Sequence, residues 1–351
     1  MMISIPNDRL SRFTAAVFES AGIESHLAQQ WGELLVWANL RGVDSHGVMR
    51  IPRYVELIEK KAINPTPRFE LTTDAAAIAV IDCDRAPGGP AMLKAAHEAV
   101  SRAQHYGLGW CTAKNISHAG AIGYFALEAA KAGMAAIVIS ASGQPLMAYH
   151  GSRVSGVSTN PVAISFPSKK REPLLLDMST SNVAFGKLLN ARKVGAQVPS
   201  DWGISRTGGE TTDPHDIATL RPLGGPKGSG LSLMIECLTS IAIGNPLIAK
   251  TLSGSGDPTK PSLNGSVIAI NPAMLGDADQ MEADLEGLAK SITSLPKAEG
   301  IDQIFLPGER GNQTMAQREQ EGVPIPKPVV DQLNQTAERL LVTLRLESAT
   351  S

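Results

Sequence analysis

The run Asp44-Ser45-His46-Gly47-Val48-Met49-Arg50-Ile51-Pro52-Arg53-Tyr54 carries residue types suited to a small carboxylic acid. Read as the start of a helix capped by Asp44 or Ser45, with His46 in its first turn, it spaces His46, Arg50 and Tyr54 at i, i+4 and i+8. An imidazole, a guanidinium and a phenol then share one side. Arginine can hold a carboxylate through two parallel hydrogen bonds, while histidine exchanges a proton with the neighbouring oxygen. The same pattern also describes a solvated helix face with a capping serine. A second acid/base candidate, His118, lies in Asn115-Ile116-Ser117-His118-Ala119-Gly120, between a strand end and a helix start, where ligands gather in α/β layers. A capping or core histidine is the alternative there.

Three further stretches bear on ligand binding. Asp177-Met178-Ser179-Thr180-Ser181 follows a strand, and its carboxylate could accept hydrogen bonds from a sugar or a histidine, or simply cap a helix. Pro222-Leu223-Gly224-Gly225-Pro226-Lys227-Gly228-Ser229-Gly230 opens a helix with bare backbone and one cation, which suits either a phosphate cradle or a structural turn. Leu306-Pro307-Gly308-Glu309-Arg310 reads as a loop on composition alone. No strand is followed by Gly-x-Gly-x-x-Gly, and the P-loop, His-Glu-x-x-His and Gly-x-Ser-x-Gly patterns are missing from the sequence. Gly107-Leu108-Gly109 precedes a strand and reads as a turn.

The elements that must position these residues change character along the chain. From Asn7 to about Lys61 the apolar residues recur at helical spacing, which predicts a helical hairpin or bundle. After Pro65 and Pro67 the pattern alternates: strand 76–82, helix 90–105, strand 108–114, helix 121–132, strand 134–141. Such alternation predicts an α/β layer. Further strands are predicted at 161–167, 174–177 and 266–270, with a helix from Gly230 to about Ile243. The stretch from Gly195 to Gly225, rich in Gly, Pro, Thr and Asp, is too long for a simple connector and reads as a functional or interface loop. Pro326 to Glu347 reads as one amphipathic helix.

With 351 residues the chain can hold two or three domains. Thirty-two basic against thirty-four acidic residues leave a net charge of -2, so no charge surplus steers it to nucleic acid or anionic lipid. The apolar run Leu231–Ala249 contains Glu236 and Asn245-Pro246, which favours a buried core helix over a membrane span. Cys83, Cys111 and Cys237 have neither metal-ligand nor redox spacing and read as reduced thiols. The N-terminus lacks signal-peptide character, so the expected location is the cytoplasm.

Taken in order, six motifs resemble the type 2 malate/L-lactate dehydrogenase family, whose branches include ureidoglycolate dehydrogenase, 2,3-diketo-L-gulonate reductase and piperideine-2-carboxylate reductase. They are the segment from Arg41 to Arg50, Ser117-His118-Ala119-Gly120-Ala121, Thr159-Asn160-Pro161, Asp177-Met178-Ser179-Thr180-Ser181, the segment from Pro222 to Gly228, and Pro307-Gly308-Glu309. Ser158 stands where many members carry glycine, and Ser229 replaces a common aromatic. The resemblance implies a mixed α/β fold with a non-Rossmann nicotinamide-binding domain, a largely antiparallel sheet and a helical N-terminal domain, assembled as a homodimer. Domain limits follow as 1–75, joined by 311–351, and 76–310 with an insertion around 180–260. It further implies His118 and His46 as acid/base candidates, and Ser45, Arg50 and Tyr54 as substrate-binding residues. Ser142, Asp177, Met178, Ser179, Lys227, Gly228, Gly308, Glu309 and Arg310 would bind NAD or NADP, and no metal is implied.

The resulting expectation is hydride exchange between a nicotinamide and a small 2-hydroxy or 2-oxo acid, or a related ureido or imino acid. A cofactor-free hydrolase or lyase using His46 and His118 is the alternative.

Overall fold

The computed structural model describes residues 1–256 and 262–347. A short strand, β1 (Met2–Ile5), leads into helices α1 (Asn7–Ser20), α2 (Ser25–Leu40) and α3 (Ile51–Glu59). The helical period seen in the sequence is what packs them: Leu10, Phe13 and Val17 of α1 and Leu27, Trp31 and Leu35 of α2 are buried. Strand and helix then alternate through β2 (Glu70–Ala75), β3 (Ile78–Ala86), α4 (Gly88–Tyr106), β4 (Leu108–Ile116), α5 (Gly123–Lys131) and β5 (Ala135–Ser142). From β3 to β5 these limits fall within a few residues of the predicted strands and helices, whereas β2 was not predicted.

Beyond β5 come β6 (Met147–Ala148), β7 (Ser155–Val157), β8 (Val162–Phe166), β9 (Leu174–Met178), α6 (Phe185–Val194), β10 (Gly203–Ser205) and β11 (Ile217–Leu220). The stretch 195–225 is therefore not all loop. Its strands β10 and β11 join β6 and β7 in a small sheet ordered β10-β11-β6-β7. The chain continues through α7 (Pro226–Glu236), α8 (Ile248–Leu252), β12 (Leu263–Ile270), α9 (Ala278–Thr293), α10 (Glu309–Glu321), β13 (Val323–Pro326) and α11 (Lys327–Arg339).

Among the described residues the main sheet has seven strands in the order β2-β3-β4-β12-β5-β8-β9. Only β3 and β4 run parallel; the other neighbours are antiparallel. β12 arrives from more than a hundred residues away and slots between β4 and β5, pairing Val267 with both Cys111 and Val138. β1 pairs antiparallel with β13, which places the C-terminal helices against the N-terminal ones. One buried cluster runs from Ile5 to Leu346 and takes in side chains from both groups of helices and from the sheet.

Two sequence expectations are corrected. Pro326–Glu347 is not one helix, because α11 ends at Arg339 and Leu341 turns to φ 59. The Val342 N–H bonds back to the Ala337 carbonyl at 2.9 Å, and the Asn334 side chain holds both backbone groups of Leu346 at 2.8–2.9 Å. The apolar residues past the helix thus bury Val342 and Leu346 in extended chain, while Leu341 is 89% exposed. Leu231–Ala249 is not a buried core helix either. α7 runs into a π-turn, Cys237–Ile241, and Leu231, Met234, Leu238 and Ile241 lie exposed along it. Glu236 faces inward and accepts the Leu247 and Ile248 N–H groups at 2.8 and 3.0 Å, which bends the chain instead of extending the helix. No helix among the described residues is long and apolar enough to cross a membrane. Cys83, Cys111 and Cys237 are unpaired.

Candidate active site

His118 stands just past the end of β4, where a close approach of two backbones fixes it. The Gly88 N–H, at the start of α4, donates to Ser117 Oγ at 2.9 Å. A Cβ on Gly88 would lie 2.4 Å from the carbonyl oxygens of Ser117 and His118, so only glycine lets the helix meet the strand end. Gly88→Ala is expected to cost about 3 kcal/mol of stability, near the top of the usual overpacking range, and to lower kcat together with the unfolding temperature. Thermal melts and turnover on the same preparation check this; an unchanged melt would refute the packing argument.

His46 comes from a segment that folds differently from the sequence reading. Two single 3₁₀ turns, Asp44–His46 and Val48–Arg50, precede α3, so His46 does not lie in a continuous helix with Arg50 and Tyr54. The cause is Gly47, which is extended and packs directly on the Asn39 side chain. Asn39 Oδ1 accepts the Val48 N–H at 2.8 Å, and Asn39 Nδ2 donates to Asp44 at 2.7 Å. Arg318 of α10 completes the clasp through an ion pair to Asp44, also at 2.7 Å. The broken helix still brings the rings together: His46 stacks on His118 with centroids 5.5 Å apart.

Burial holds both imidazoles neutral. His46 is pushed down to about 4 by desolvation and then by the Arg50 charge. His118 lies well below its ordinary value through desolvation, His46 and Arg50, in that order. Arg50 donates from Nε to the Ser45 carbonyl at 2.6 Å. Its two terminal nitrogens have no protein partner among the described residues, and the side chain lines the cleft, which leaves a fork free for a carboxylate. Ser45 Oγ lies 2.9 Å from His46 Nδ1, and Tyr54 Oη lies 2.7 Å from His118 Nδ1.

The opposite wall is built by strand ends. Asp177, in β9, accepts the Gly123 N–H at 3.0 Å while opening onto the cleft. Desolvation by the walls of the cleft raises its carboxyl from 3.8 to about 6, against the pull of that N–H and of Arg41. The folded protein therefore takes up a proton that the unfolded chain has released between pH about 4 and 6, and Asp177 withdraws stability as pH rises through that window. Asp177→Asn keeps an acceptor for Gly123, so its melting temperature relative to wild type is expected to climb from pH about 4 to about 7. A difference that stays flat with pH would refute the shift.

Asn160 orders the floor, accepting the Ser142 N–H at 3.1 Å and donating to the Ser232 carbonyl at 2.9 Å. Arg41 spans the mouth: its guanidinium lies 5.4 Å from the Trp37 ring centroid, donates to the Gly308 carbonyl at 3.0 Å and also bonds Asn312.

Together these walls enclose a cleft of about 550 Å³, within the range of small-molecule sites. Of the residues singled out in the sequence, His46, Arg50, His118, Ser142, Asp177, Met178, Ser179 and Gly308 line it. Six others do not line it. Ser45 and Tyr54 sit behind the histidines, and Tyr54 is only 2% exposed. Lys227 is exposed in the first turn of α7, and Gly228 is buried behind it against the Thr180 carbonyl. Glu309 folds back to accept the Leu306 N–H at 2.8 Å, and Arg310 stacks outward over Phe305 at 5.0 Å. Arg41, Asn39 and Asn160 escaped the sequence reading as site builders. Arg41 and Asn160 lay inside recognised motifs, but no spacing linked them to partners far along the chain.

Comparison with known proteins gives matches along nearly the whole chain. The family model described as malate/L-lactate dehydrogenase matches residues 5–334. The malate dehydrogenase of Pyrococcus horikoshii is 34% identical over 348 residues, covering 96% of each chain. The ureidoglycolate dehydrogenase (NAD(+)) of Escherichia coli strain K12 is 32% identical over 309 residues, 87% of each. Among solved structures, the P. horikoshii malate dehydrogenase superposes with a TM-score of 0.87 at 32% identity, covering 97% of this chain and 96% of the other. The malate dehydrogenase of Entamoeba histolytica gives 0.91 at 26% identity, covering 98% and 99%. An oxidoreductase, not a cofactor-free hydrolase or lyase, is what these matches support, and the chain belongs to the malate/L-lactate dehydrogenase family, as a dehydrogenase of hydroxy acids.

Proposed function

We propose that the cleft exchanges a hydride between NAD or NADP and C2 of a small 2-hydroxy or 2-oxo acid, a related ureido or imino acid included. The observation that carries this reading is the pair of neutral, stacked imidazoles beside an arginine whose terminal nitrogens are uncommitted. Arg50 takes the substrate carboxylate in two parallel hydrogen bonds and so fixes the neighbouring carbon and oxygen against His118. During oxidation His118 removes the hydroxyl proton as the C2–H bond breaks; during reduction it returns that proton to the oxygen. His46, stacked behind, is the second acid/base candidate. Carboxylate binding itself tunes the step, because it offsets the Arg50 charge that holds both imidazoles down.

Bound nicotinamide supplies the hydride acceptor or donor. The cleft suits such a group in size, and it offers polar and apolar surface side by side: Ser142 and Ser179 hydroxyls, the Asp177 carboxyl and the Met178 side chain. These residues and Gly308 would hold it, with Lys227, Gly228, Glu309 and Arg310 flanking. A relative named for NAD(+) favours that form of the cofactor. We further propose residues 1–75 with 311–351 as one domain and 76–310 as the other. A homodimer would cover the exposed apolar face of Leu231, Met234, Leu238 and Ile241.

The test is nicotinamide absorbance with NADH and NADPH against pyruvate, oxaloacetate, glyoxylate, a cyclic imino acid and diketogulonate, with ureidoglycolate in the oxidative direction. Turnover with one acid and one cofactor is the expected result. Neither turnover nor thermal stabilisation by either cofactor would overturn the reading.

A further inference from the structure

We infer that Tyr54 is a positioning residue for His118, engaging Nδ1 so that Nε2 is the nitrogen that reacts, and that it does not touch substrate. The inference rests on the reading of His118 as the acid/base. Tyr54 is buried behind His118, with its hydroxyl 2.7 Å from Nδ1 and no other protein partner among the described residues. Its ring cannot swing away. It stacks on Trp31 with centroids 4.7 Å apart, and Trp31 in turn stacks on Phe18 at 4.2 Å. Three helices, α1, α2 and α3, thus converge on the orientation of one imidazole.

The chemistry of the pair follows from the charges around it. The titratable or charged groups facing His118 are His46, Arg50 and Tyr54, and no carboxylate bonds its ring. The phenol stays protonated, because burial raises its ionisation far more than Arg50 lowers it. The Tyr54 oxygen accepts from Nδ1–H in both states: in the neutral ring this leaves the Nε2 lone pair free to take the substrate proton, and in the charged ring both nitrogens carry one. The ring therefore keeps one orientation through the proton transfer, with Nε2 toward the cleft throughout. A carboxylate in the same place would raise the imidazole and trap the proton; the hydroxyl orients it without that penalty. The bond to the charged ring is the stronger of the two, so Tyr54 favours the imidazolium modestly.

Tyr54→Phe removes one oxygen and keeps the aromatic stack. Expected is a fall in kcat of about ten- to a hundredfold with KM for the acid little changed. The acid limb of kcat/KM for alcohol oxidation should move to lower pH. In the substrate-free protein the His118 Nδ1 nitrogen resonance should move more than Nε2, a readout that needs no turnover. If KM rises while kcat holds, Tyr54 touches substrate and the inference falls. It falls equally if kcat drops while the pH limb and the Nδ1 resonance stay put, since that is the signature of a packing role. Trp31→Phe keeps the hydroxyl and is expected to leave the pH limb in place; a shifted limb there would also count against the assignment. Should His118→Ala turn over normally, the acid/base reading fails, while the Nδ1 resonance still decides whether Tyr54 holds the ring.

Discussion

His118→Ala is expected to lose about 10² to 10⁴ in kcat, the usual worth of a positioned general acid or base. The fold should survive. The His118 ring stacks on the His46 ring and bonds the Tyr54 hydroxyl, whereas the backbone tie to α4 runs through Ser117 and Gly88. Stabilisation by reduced cofactor should persist, because Ser142, Asp177 and Gly308 lie elsewhere along the cleft. Steady-state rates with a melt of the same sample measure both. Near-normal turnover in a folded variant would remove His118 from the mechanism. If His46→Ala were then the inactive variant, the acid/base role would pass to the other ring of the stack.

Arg50→Ala is expected to lower kcat/KM by about 10² to 10³, since the substrate carboxylate loses a pair of charge-assisted hydrogen bonds worth about 3 to 4 kcal/mol together. Arg50→Lys should recover little. A lysine keeps the charge but neither the fork nor the Nε bond to the Ser45 carbonyl. The variant carries a second signature of known sign. Arg50 pushes both imidazoles down, so its removal lets them rise, and the acid limb of oxidation moves to higher pH. That direction is opposite to the one expected for Tyr54→Phe. Free guanidinium added to Arg50→Ala should restore part of the rate; a KM for the acid that does not change would show that the carboxylate binds elsewhere.

Much of the chain was legible from local pattern. Leu10, Phe13 and Val17, or Leu27, Trp31 and Leu35, sit at helical spacing and are buried where that spacing puts them. The strand limits of β4, β5, β8 and β9 were also close, because β-rich runs are bounded by Gly and Pro there. Long-range pairing was not legible. Nothing in residues 263–270 says that the strand enters between β4 and β5, which is decided by register across the whole sheet.

The same divide separates the site residues. His46, Arg50 and His118 stood out by type, but their meeting depends on Gly47 breaking the helix that the spacing suggested. Tyr54 shows the limit most clearly. Its spacing put it with His46 and Arg50 on one strip suited to a substrate acid, whereas the aromatic packing of α1 and α2 buries it behind the histidine. Arg41 and Arg318 could not be assigned from spacing at all, since their partners are some 270 residues away in the chain.

Those two arginines give the order of synthesis a meaning. The segment bearing His46 leaves the ribosome some 270 residues before the groups that hold it: Gly308 and Asn312 for Arg41, and Arg318 for Asp44. A nascent chain stalled before residue 318 owns every candidate proton carrier and lacks the brace that aligns them. Cleavage between Gly311 and Arg318 is expected to remove that brace while leaving in place every residue that lines the cleft.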